Sequence, residues 1–304
     1  MKKVTLYWNH ICVLHNQEKK FLENIRKKLL LEDILLEITY FGLGYPEHMS
    51  EYLAKPEAVL PDLIVSADLE VFEDKRIFRT YKEELYNLEP KISYNDENRN
   101  LVYRNEKLIP FVAIPLVYYT KDKSLLKNDC IELKDIKDIA IGGINNSAGR
   151  TIGKYLLQKW GKSVTEHFLK NAKTFDMPIQ AYNAVRMNMA NTSLVPSLYA
   201  LRADGTESFM TIPKDGPLLI PSYICARKSI TEETALKVIK EIISKEFCEF
   251  YIENGDLIVY PDSVHARKKY PNCHSLHKEW LESLKEEAFY EIYCKNVKNA
   301  TIPI

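Results

Sequence analysis

Two similar apolar segments, far apart in the chain, constrain its fold more than any other feature. Segments 111–121 (FVAIPLVYYTK) and 218–228 (LLIPSYICARK) each contain an internal proline, Pro115 or Pro221, and end on a basic residue. Continuous apolar runs are typical of buried strands, and an internal proline favours an edge or a bend. Two such strands predict a two-stranded hinge, which makes residues 113–217 an inserted lobe. Small ligands are usually held in the space between lobes.

Chain length independently favours two lobes. The chain has 304 residues, and a single hydrophobic core stops growing at about 250–300 residues. We therefore predict a discontinuous first lobe, formed by residues 1–112 and 218–304, and a second lobe formed by residues 113–217. We expect the protein to be a monomer.

The overall charge and the cysteine pattern limit the class of protein. Basic and acidic residues balance at 42 each, so no net field attracts nucleic acid or an anionic membrane. The sequence contains no apolar run of about 18 residues that would span a membrane, and its scattered cysteines favour reduced thiols. The N-terminus lacks the apolar core of an export signal. These features predict a cytoplasmic protein, or an extracytoplasmic one if a signal was removed.

Alternating strand and helix patterns predict the fold class. Apolar runs with strand character are separated by segments with helical spacing, an order typical of parallel sheets covered by helices. The predicted strands are 4–8, 35–41, 61–67 and 138–142, and the predicted helices are 17–31, 151–160, 231–250 and 278–293. Gly161 follows a predicted helix as its C-terminal cap. The chain is therefore predicted to be an α/β protein in which each lobe has a central, mainly parallel sheet.

Four passages carry a resemblance to a known family: the strand 4–8 with its following helix, Leu60–Asp68, Phe111–Tyr119, and Lys214–Pro221 with the helix after it. The chain resembles the type II periplasmic, or extracellular, solute-binding proteins of ABC importers, in particular an iron and polyamine group and relatives without a signal. This resemblance implies two lobes joined by two crossing strands, which close like a hinge over a ligand. It also implies binding rather than catalysis, an ABC permease as partner and no resident cofactor. The ligand would be a small polar or anionic molecule or a metal complex.

Ligand contacts in parallel sheets come from loops at the carboxyl ends of the strands. In the first lobe, this rule selects Trp8, Asn9, His10, Cys12, Tyr45, Ser66 and Asp68. Imidazole and thiolate are ligands for zinc, copper and iron, so His10 and Cys12 are also candidates for a bound metal ion. The alternative is that Cys12 packs as a small apolar residue and the histidine is solvated or hydrogen-bonded.

In the second lobe, the same rule selects the entry of a predicted helix and one tyrosine. Asn145, Asn146 and Ser147 open a helix whose free backbone N–H groups and positive end suit an anion. Alternatively, these residues only cap the helix. Tyr199 follows a later turn. Ferric-binding relatives have an adjacent tyrosine pair near this place, and the single tyrosine here argues against that mode of iron binding.

Two other functions compete with solute binding. An enzyme could use the same scaffold, because a fold does not fix a function, with Cys12 as nucleophile and His10 activating it. A protein that handles metal ions or redox chemistry could use the same loop. The sequence contains no phosphate-binding loop, dinucleotide fingerprint or His-Glu-x-x-His motif. Solute binding is therefore the leading hypothesis.

Overall fold

The computed structural model describes residues 1–42, 44–95, 97–98, 105–126, 131–264, 270 and 272–297, without the side chain of Cys12. The chain divides into two compact units. Unit 1 contains the described residues of Met1–Asn100, Arg104–Ala113 and Pro221–Arg267, and unit 2 contains those of Ile114–Ile220 and Lys268–Ile304.

Strands and helices alternate along most of the chain. The strands are β1 (Lys2–Asn9), β2 (Ile34–Phe41), β3 (Leu63–Ser66), β4 (Ile109–Thr120), β5 (Ile139–Gly142), β6 (Lys173–Phe175), β7 (Thr192–Pro196), β8 (Phe209–Thr211), β9 (Leu218–Ala226) and β10 (Ile258–Val259). The helices are α1 (His15–Leu30), α2 (Met49–Leu53), α3 (Glu70–Glu73), α4 (Lys75–Tyr81), α5 (Ser147–Asn171), α6 (Pro178–Arg186), α7 (Ser197–Ala200), α8 (Glu232–Ile242), α9 (Lys245–Gly255), α10 (Lys278–Ser283) and α11 (Glu286–Asn296). None of these helices combines the length and apolar character that a transmembrane span needs.

Unit 1 is built on a parallel arrangement of β1, β2 and β3. β1 pairs in parallel with both of the other strands, which brings their carboxyl ends to one edge. The apolar residues of α1 recur at helical spacing, and Leu22, Ile25 and Leu29 are buried on one face of that helix. The part of β9 in unit 1 extends the sheet antiparallel to β3. The predicted parallel sheet covered by helices is therefore present.

The strands of unit 2 follow the same principle, and all ten strands are assigned to one sheet. β5 pairs in parallel with β6 and with β7, and the part of β4 in this unit runs antiparallel to β7 and β8. The long helix α5 is interrupted at Gly161, whose φ of 77° is incompatible with a continuing helix. The helix is broken at the predicted position, but the ψ of −178° at Gly161 lies outside the left-handed conformation of a glycine cap, and the chain resumes helical structure after it.

Both predicted hinge segments connect the units. β4 passes from unit 1 to unit 2 after Ala113, and β9 returns to unit 1 at Pro221. Every residue of both strands is buried, as their unbroken apolar sequences predicted. The predicted fold class, two α/β lobes joined by two crossing strands, is confirmed.

The C-terminal residues differ from their predicted assignment to the first lobe, 218–304. The described residues from Tyr270 onward belong to unit 2. His274 forms an isolated parallel bridge with Leu218 of β9. Its N–H donates to Pro217 O at 2.9 Å, and its carbonyl accepts from Leu219 N–H at 2.8 Å. Further along, Glu286 of α11 pairs with the buried Lys154 of α5 at 3.2 Å. The segment belongs to unit 2 because of these contacts with unit 2 residues, although the residues that precede it in the sequence belong to unit 1.

Two predicted helices are also broken in the structure. The predicted helix 231–250 is divided into α8 and α9, because Ser244 adopts an extended conformation as the N-cap of α9. The predicted helix 278–293 is divided into α10 and α11, with extended residues at Leu284 and Lys285. Apolar spacing marked the buried faces but not these interruptions.

Candidate functional site

Polar side chains converge where the parallel strands of unit 1 end. Asn9 is the last residue of β1, and Ser66 is the last residue of β3. The Asn9 side-chain amide donates to Ser66 Oγ at 3.2 Å. The backbone N–H of Asp68 donates to the same oxygen at 2.9 Å. Asp68 Oδ2 accepts from the Ser50 hydroxyl at 2.7 Å. We call Asn9, Ser50, Ser66 and Asp68 the unit 1 edge cluster.

The structure therefore brings together three predicted site residues, Asn9, Ser66 and Asp68. Ser50 was not predicted, because it lies in α2 and not in a loop directly after a strand of the sheet. Ser66 and Asp68 are almost fully buried, whereas Asn9 is half-buried. The cluster offers hydroxyl, amide and carboxylate groups, which together can both donate and accept hydrogen bonds.

A second polar network is fully buried and includes His10, the residue that directly follows Asn9 in the sequence. The His10 and Glu18 side chains have no exposed area, and His10 Nδ1 lies 2.5 Å from Glu18 Oε2. Glu18 Oε1 accepts from the Tyr251 hydroxyl at 2.8 Å. The N–H of Ile11 contacts both Glu18 oxygens at 3.2 Å. We call these groups the His10–Glu18–Tyr251 network.

Tyr251 acts as a donor in this network. Burial, reinforced by the neighbouring Glu18 carboxylate, raises the pKa of the Tyr251 hydroxyl well above its usual value. The phenol therefore stays protonated across the physiological range. Glu18 and Tyr251 were not predicted as site residues. A signal for Glu18 existed, because it lies four residues before Leu22 on the apolar face of α1.

Aromatic rings surround His10. Its imidazole stacks on Tyr40, with ring centres 4.8 Å apart and planes at 13°, and lies 5.8 Å from the ring of Tyr45. His15 lies 6.0 Å away in an edge orientation, and the Lys19 ammonium sits 5.2 Å from the Tyr45 ring centre. The predicted residue Tyr45 thus lies next to His10, half-buried.

One atom of this imidazole is unused. Within the part of the chain that the structure describes, His10 Nε2 is buried and has no hydrogen-bond partner. A buried polar atom without a partner costs about 1–3 kcal/mol. Sites that bind ligands retain such atoms, because the ligand supplies the missing partner. Among the predicted site residues, His10 shares this feature with Trp8, whose indole Nε1 is also buried without a partner among the described residues.

Trp8 has a different environment. Its indole is 1% exposed and stacks on Phe247, with ring centres 5.6 Å apart and planes at 12°. Phe111 lies at its edge. The structure thus places Trp8 in the aromatic core of unit 1, where its contribution is packing.

The predicted metal role for His10 and Cys12 gains no ligand set from the structure. Among the described residues, no group of three or more histidine, cysteine, aspartate or glutamate side chains is arranged to hold a metal ion. The Cys12 side chain lies outside the described part of the chain. The metal assignment for this pair stays a prediction.

In unit 2, the corresponding strand edge is organised around Asn146. This residue is the N-cap of α5, and its Oδ1 accepts from Gly149 N–H at 3.0 Å. Its Nδ2 donates to Gly143 O at 2.8 Å and to Asp176 O at 2.9 Å. The cap thus joins the loops after β5 and β6. The neighbouring side chains of Asn145 and Ser147 are exposed and half-buried, respectively.

Tyr199 is packed within unit 2. It lies in α7 with 1% of its surface exposed, and its ring centre is 6.1 Å from that of Tyr182. The Arg202 guanidinium lies 5.8 Å from the Tyr199 ring. Tyr182 in turn contacts Tyr119, with ring centres 4.6 Å apart. Tyr199 is therefore part of an aromatic row, a role that a lone tyrosine after a strand did not reveal.

Solved structures provide the comparison with known proteins. No protein-family model matches this chain, and no curated protein sequence matches it. An iron-bound HitA from Pseudomonas aeruginosa is 14% identical, with a TM-score of 0.68 over 97% of this chain and 99% of that one. An ABC transporter structure from Clostridium perfringens is 13% identical, with a TM-score of 0.71 over 97% and 100%. The chain has the type II solute-binding-protein fold. The FutA protein (IdiA) of Trichodesmium, in complex with iron and citrate, agrees at 15% identity and a TM-score of 0.66 over 96% and 98%.

Proposed function

We propose that this protein is a solute-binding protein for a small polar or anionic ligand or a metal complex, working in ABC-type transport or in an intracellular derivative of it. The observation that carries the proposal is the set of buried polar side chains at the carboxyl edge of the unit 1 sheet. Ligands of open α/β sheets bind at such edges. The shared fold supports the same class of function.

The chemistry of the two strand edges suggests which ligands to test. The unit 1 edge cluster combines the Asp68 carboxylate with hydroxyl and amide groups, so it suits a ligand that both donates and accepts hydrogen bonds. The N-terminal end of α5 in unit 2 carries the partial positive charge that favours anions. The HitA structure contains iron and the FutA structure contains iron and citrate. Ferric ion and ferric citrate are therefore the first compounds to test here.

A thermal-shift screen tests the proposal. The screen should include ferric citrate, ferric ion, oxyanions, amino acids and polyamines, followed by calorimetry on each compound that raises the melting temperature. A ligand present at 100 times its Kd should stabilise the protein by about 2.7 kcal/mol. Asp68→Asn should weaken the binding of such a ligand, whereas Lys20→Ala, on an exposed part of α1, should not. The absence of any stabilising compound in the whole panel would contradict the proposal.

Partner and location follow from the same proposal. A protein of this class would deliver its ligand to an ABC permease, and co-purification with a membrane permease would support that role. Cell fractionation distinguishes a cytoplasmic from an extracytoplasmic location. Closure of the lobes over the ligand also stays a prediction, which small-angle scattering with and without a bound compound can test.

Thiol chemistry, the rival function, is open to a separate test. Burial raises the pKa of the Cys225 thiol to about 12 and that of Cys248 to about 11. These thiols should react slowly with iodoacetamide at neutral pH and faster as the pH rises toward those values, because the thiolate is the nucleophile. Mass spectrometry of the alkylated native protein gives each rate. Cys12 alkylation that is fast at neutral pH would favour the enzyme, and alkylation as slow as that of Cys225 would oppose it.

A further inference from the structure

We propose that Glu18 is a positioning residue that keeps the His10 proton on Nδ1 and leaves the Nε2 lone pair for a ligand that accepts an electron pair. Such a ligand presents an N–H or O–H group or a cation. The ligand part of this inference rests on the proposed function. The part that concerns the His10 tautomer does not.

The contacts of Glu18 define which atoms donate. A backbone N–H can only donate, so Ile11 donates to Glu18, and the two oxygens lie at equal distances of 3.2 Å. The Tyr251 phenol, which stays protonated, donates to Oε1 at 2.8 Å. An ionised carboxylate has only acceptor sites. The short contact of 2.5 Å between Oε2 and His10 Nδ1 then requires the imidazole to donate from Nδ1.

The opposite arrangement would have a neutral Glu18 that donates from Oε2 to Nδ1. It is less favourable on two grounds. A neutral imidazole that accepts at Nδ1 must carry its proton on Nε2, and that buried N–H would have no acceptor among the described residues. A hydroxyl at Oε2 would also present a poorer acceptor to the Ile11 N–H. The ionised form satisfies every donor that the structure directs at Glu18.

The consequence falls on the other ring nitrogen. A doubly protonated imidazole would place a charged N–H at Nε2, which is buried and has no hydrogen-bond partner among the described residues. In the neutral ring protonated on Nδ1, Nε2 is an acceptor instead. The Tyr40 ring stacks on the imidazole at 13°, which fixes the plane of the ring as the carboxylate fixes its rotation. A histidine held in this way by a carboxylate has a defined tautomer and a fixed ring orientation. A ligand atom that binds Nε2 must therefore be a hydrogen-bond donor or a cation.

Glu18→Gln is the informative substitution, because the network decides how the amide is oriented. Tyr251 needs an acceptor at the position of Oε1, so the amide oxygen should take that position. The amide nitrogen then faces His10 Nδ1 and donates to it, which moves the imidazole proton to Nε2. The substitution thus converts Nε2 from an acceptor to a donor at nearly unchanged volume. Glu23→Gln, at an exposed position of the same helix, is the matched control.

Long-range proton–nitrogen NMR of the histidine rings measures the tautomer without any ligand. We expect the Nδ1–H tautomer for His10 in the wild type and in Glu23→Gln, and the Nε2–H tautomer in Glu18→Gln. Tyr251→Phe should keep the wild-type tautomer, because Glu18 still accepts from Nδ1. An Nε2–H tautomer in the wild type would overturn the proposal even if Glu18→Gln did not fold. An unchanged tautomer in a folded Glu18→Gln variant would also overturn it.

Calorimetry with two probes tests the ligand part, using Zn²⁺ as the cation and spermidine as the N–H donor. We expect at least one probe to bind the wild type and to lose about 10- to 100-fold in affinity in Glu18→Gln, with no loss in Glu23→Gln. Equal affinity in all three proteins, or no binding of either probe, would overturn the ligand part. A confirmed tautomer together with a failed compound screen would show that the proposed function is wrong and the positioning role is right.

Discussion

The carboxyl ends of the parallel strands in the two units occupy the same topological position, but different kinds of hydrogen bond hold their side chains. In unit 1, polar side chains bond mainly to other side chains, as in the Asn9–Ser66, Ser50–Asp68 and His10–Glu18 pairs. In unit 2, Asn146 bonds only to backbone atoms, of Gly143, Gly149 and Asp176. The unit 1 edge therefore determines which chemical groups are presented, whereas the unit 2 edge determines the path of the backbone.

Removal of the Glu18 carboxylate should have the largest effect on stability. Glu18→Ala would leave the buried donors of His10, Ile11 and Tyr251 without their acceptor. Breaking a buried charged network of this kind costs about 3–5 kcal/mol. Urea denaturation measures the loss in the free energy of unfolding.

The matched control for this variant is Glu23→Ala on the same helix. Glu23 is exposed and forms a surface ion pair with Arg26 at 2.8 Å, so its removal should cost less than about 1 kcal/mol. A loss for Glu18→Ala as small as that of the control would mean that side-chain pairing does not hold the unit 1 edge together.

Gly149→Ala should have the next largest effect, and it acts on the backbone of the unit 2 edge. An added methyl group at this position would overlap the carbonyl of Gly143, so the first turn of α5 would have to move. Overpacking of this kind costs about 3 kcal/mol, against the small gain that alanine usually gives in a helix. Gly153→Ala is the matched control on the same helix, because its methyl group would meet side-chain rings and not backbone, with Phe289 at 3.0 Å and Tyr293 at 3.5 Å. Thermal unfolding of both variants tests this, and an equal loss would contradict a backbone origin.

The two edges also differ in how far they could be predicted from the sequence. The strand ends that carry Asn9, Ser66 and Asn146 were predictable, because apolar runs ended by polar residues are local signals. The burial of Glu18 was readable from its spacing to Leu22, but its contact with Tyr251 spans 233 residues. Only the folded chain determines such pairs, and no local pattern encodes them.

The same reasoning explains the errors in the predicted elements. The periodicity that predicted one helix over 231–250 continues through Ser244, because α8 and α9 both bury apolar faces. The placement of the C-terminal residues depended on tertiary contacts such as Lys154–Glu286. By contrast, the two crossing strands are continuous apolar segments, and so their sequences alone were sufficient. Local periodicity therefore predicts elements and buried faces, and it fails where side chains from distant segments decide.

Asn146→Ala should have a moderate effect on stability that separates capping from ligand binding. The loss of its three hydrogen bonds to the backbone should cost about 1–2 kcal/mol, as for other N-caps. Asn145→Ala alters the neighbouring exposed residue and should change the free energy of unfolding by less than about 0.5 kcal/mol. Chemical denaturation of the two variants gives the difference. If both variants were equally stable, the unit 2 edge would not depend on its cap.

Asn9→Ala should have the smallest effect on stability. Its side-chain bond to Ser66, at 3.2 Å, is worth about 0.5–1 kcal/mol, and Ser66 keeps the backbone N–H of Asp68 as a donor. If the unit 1 edge presents groups to a solute, however, this variant should bind at least 10-fold more weakly any compound that raises the wild-type melting temperature. Asn16→Ala, at an exposed position at the start of α1, should leave both quantities unchanged. For Asn9→Ala we therefore expect a small loss of stability and a large loss of affinity. For Asn146→Ala we expect a larger loss of stability and a smaller loss of affinity. Unchanged affinity in Asn9→Ala would remove the functional difference between the two edges and leave only the structural one.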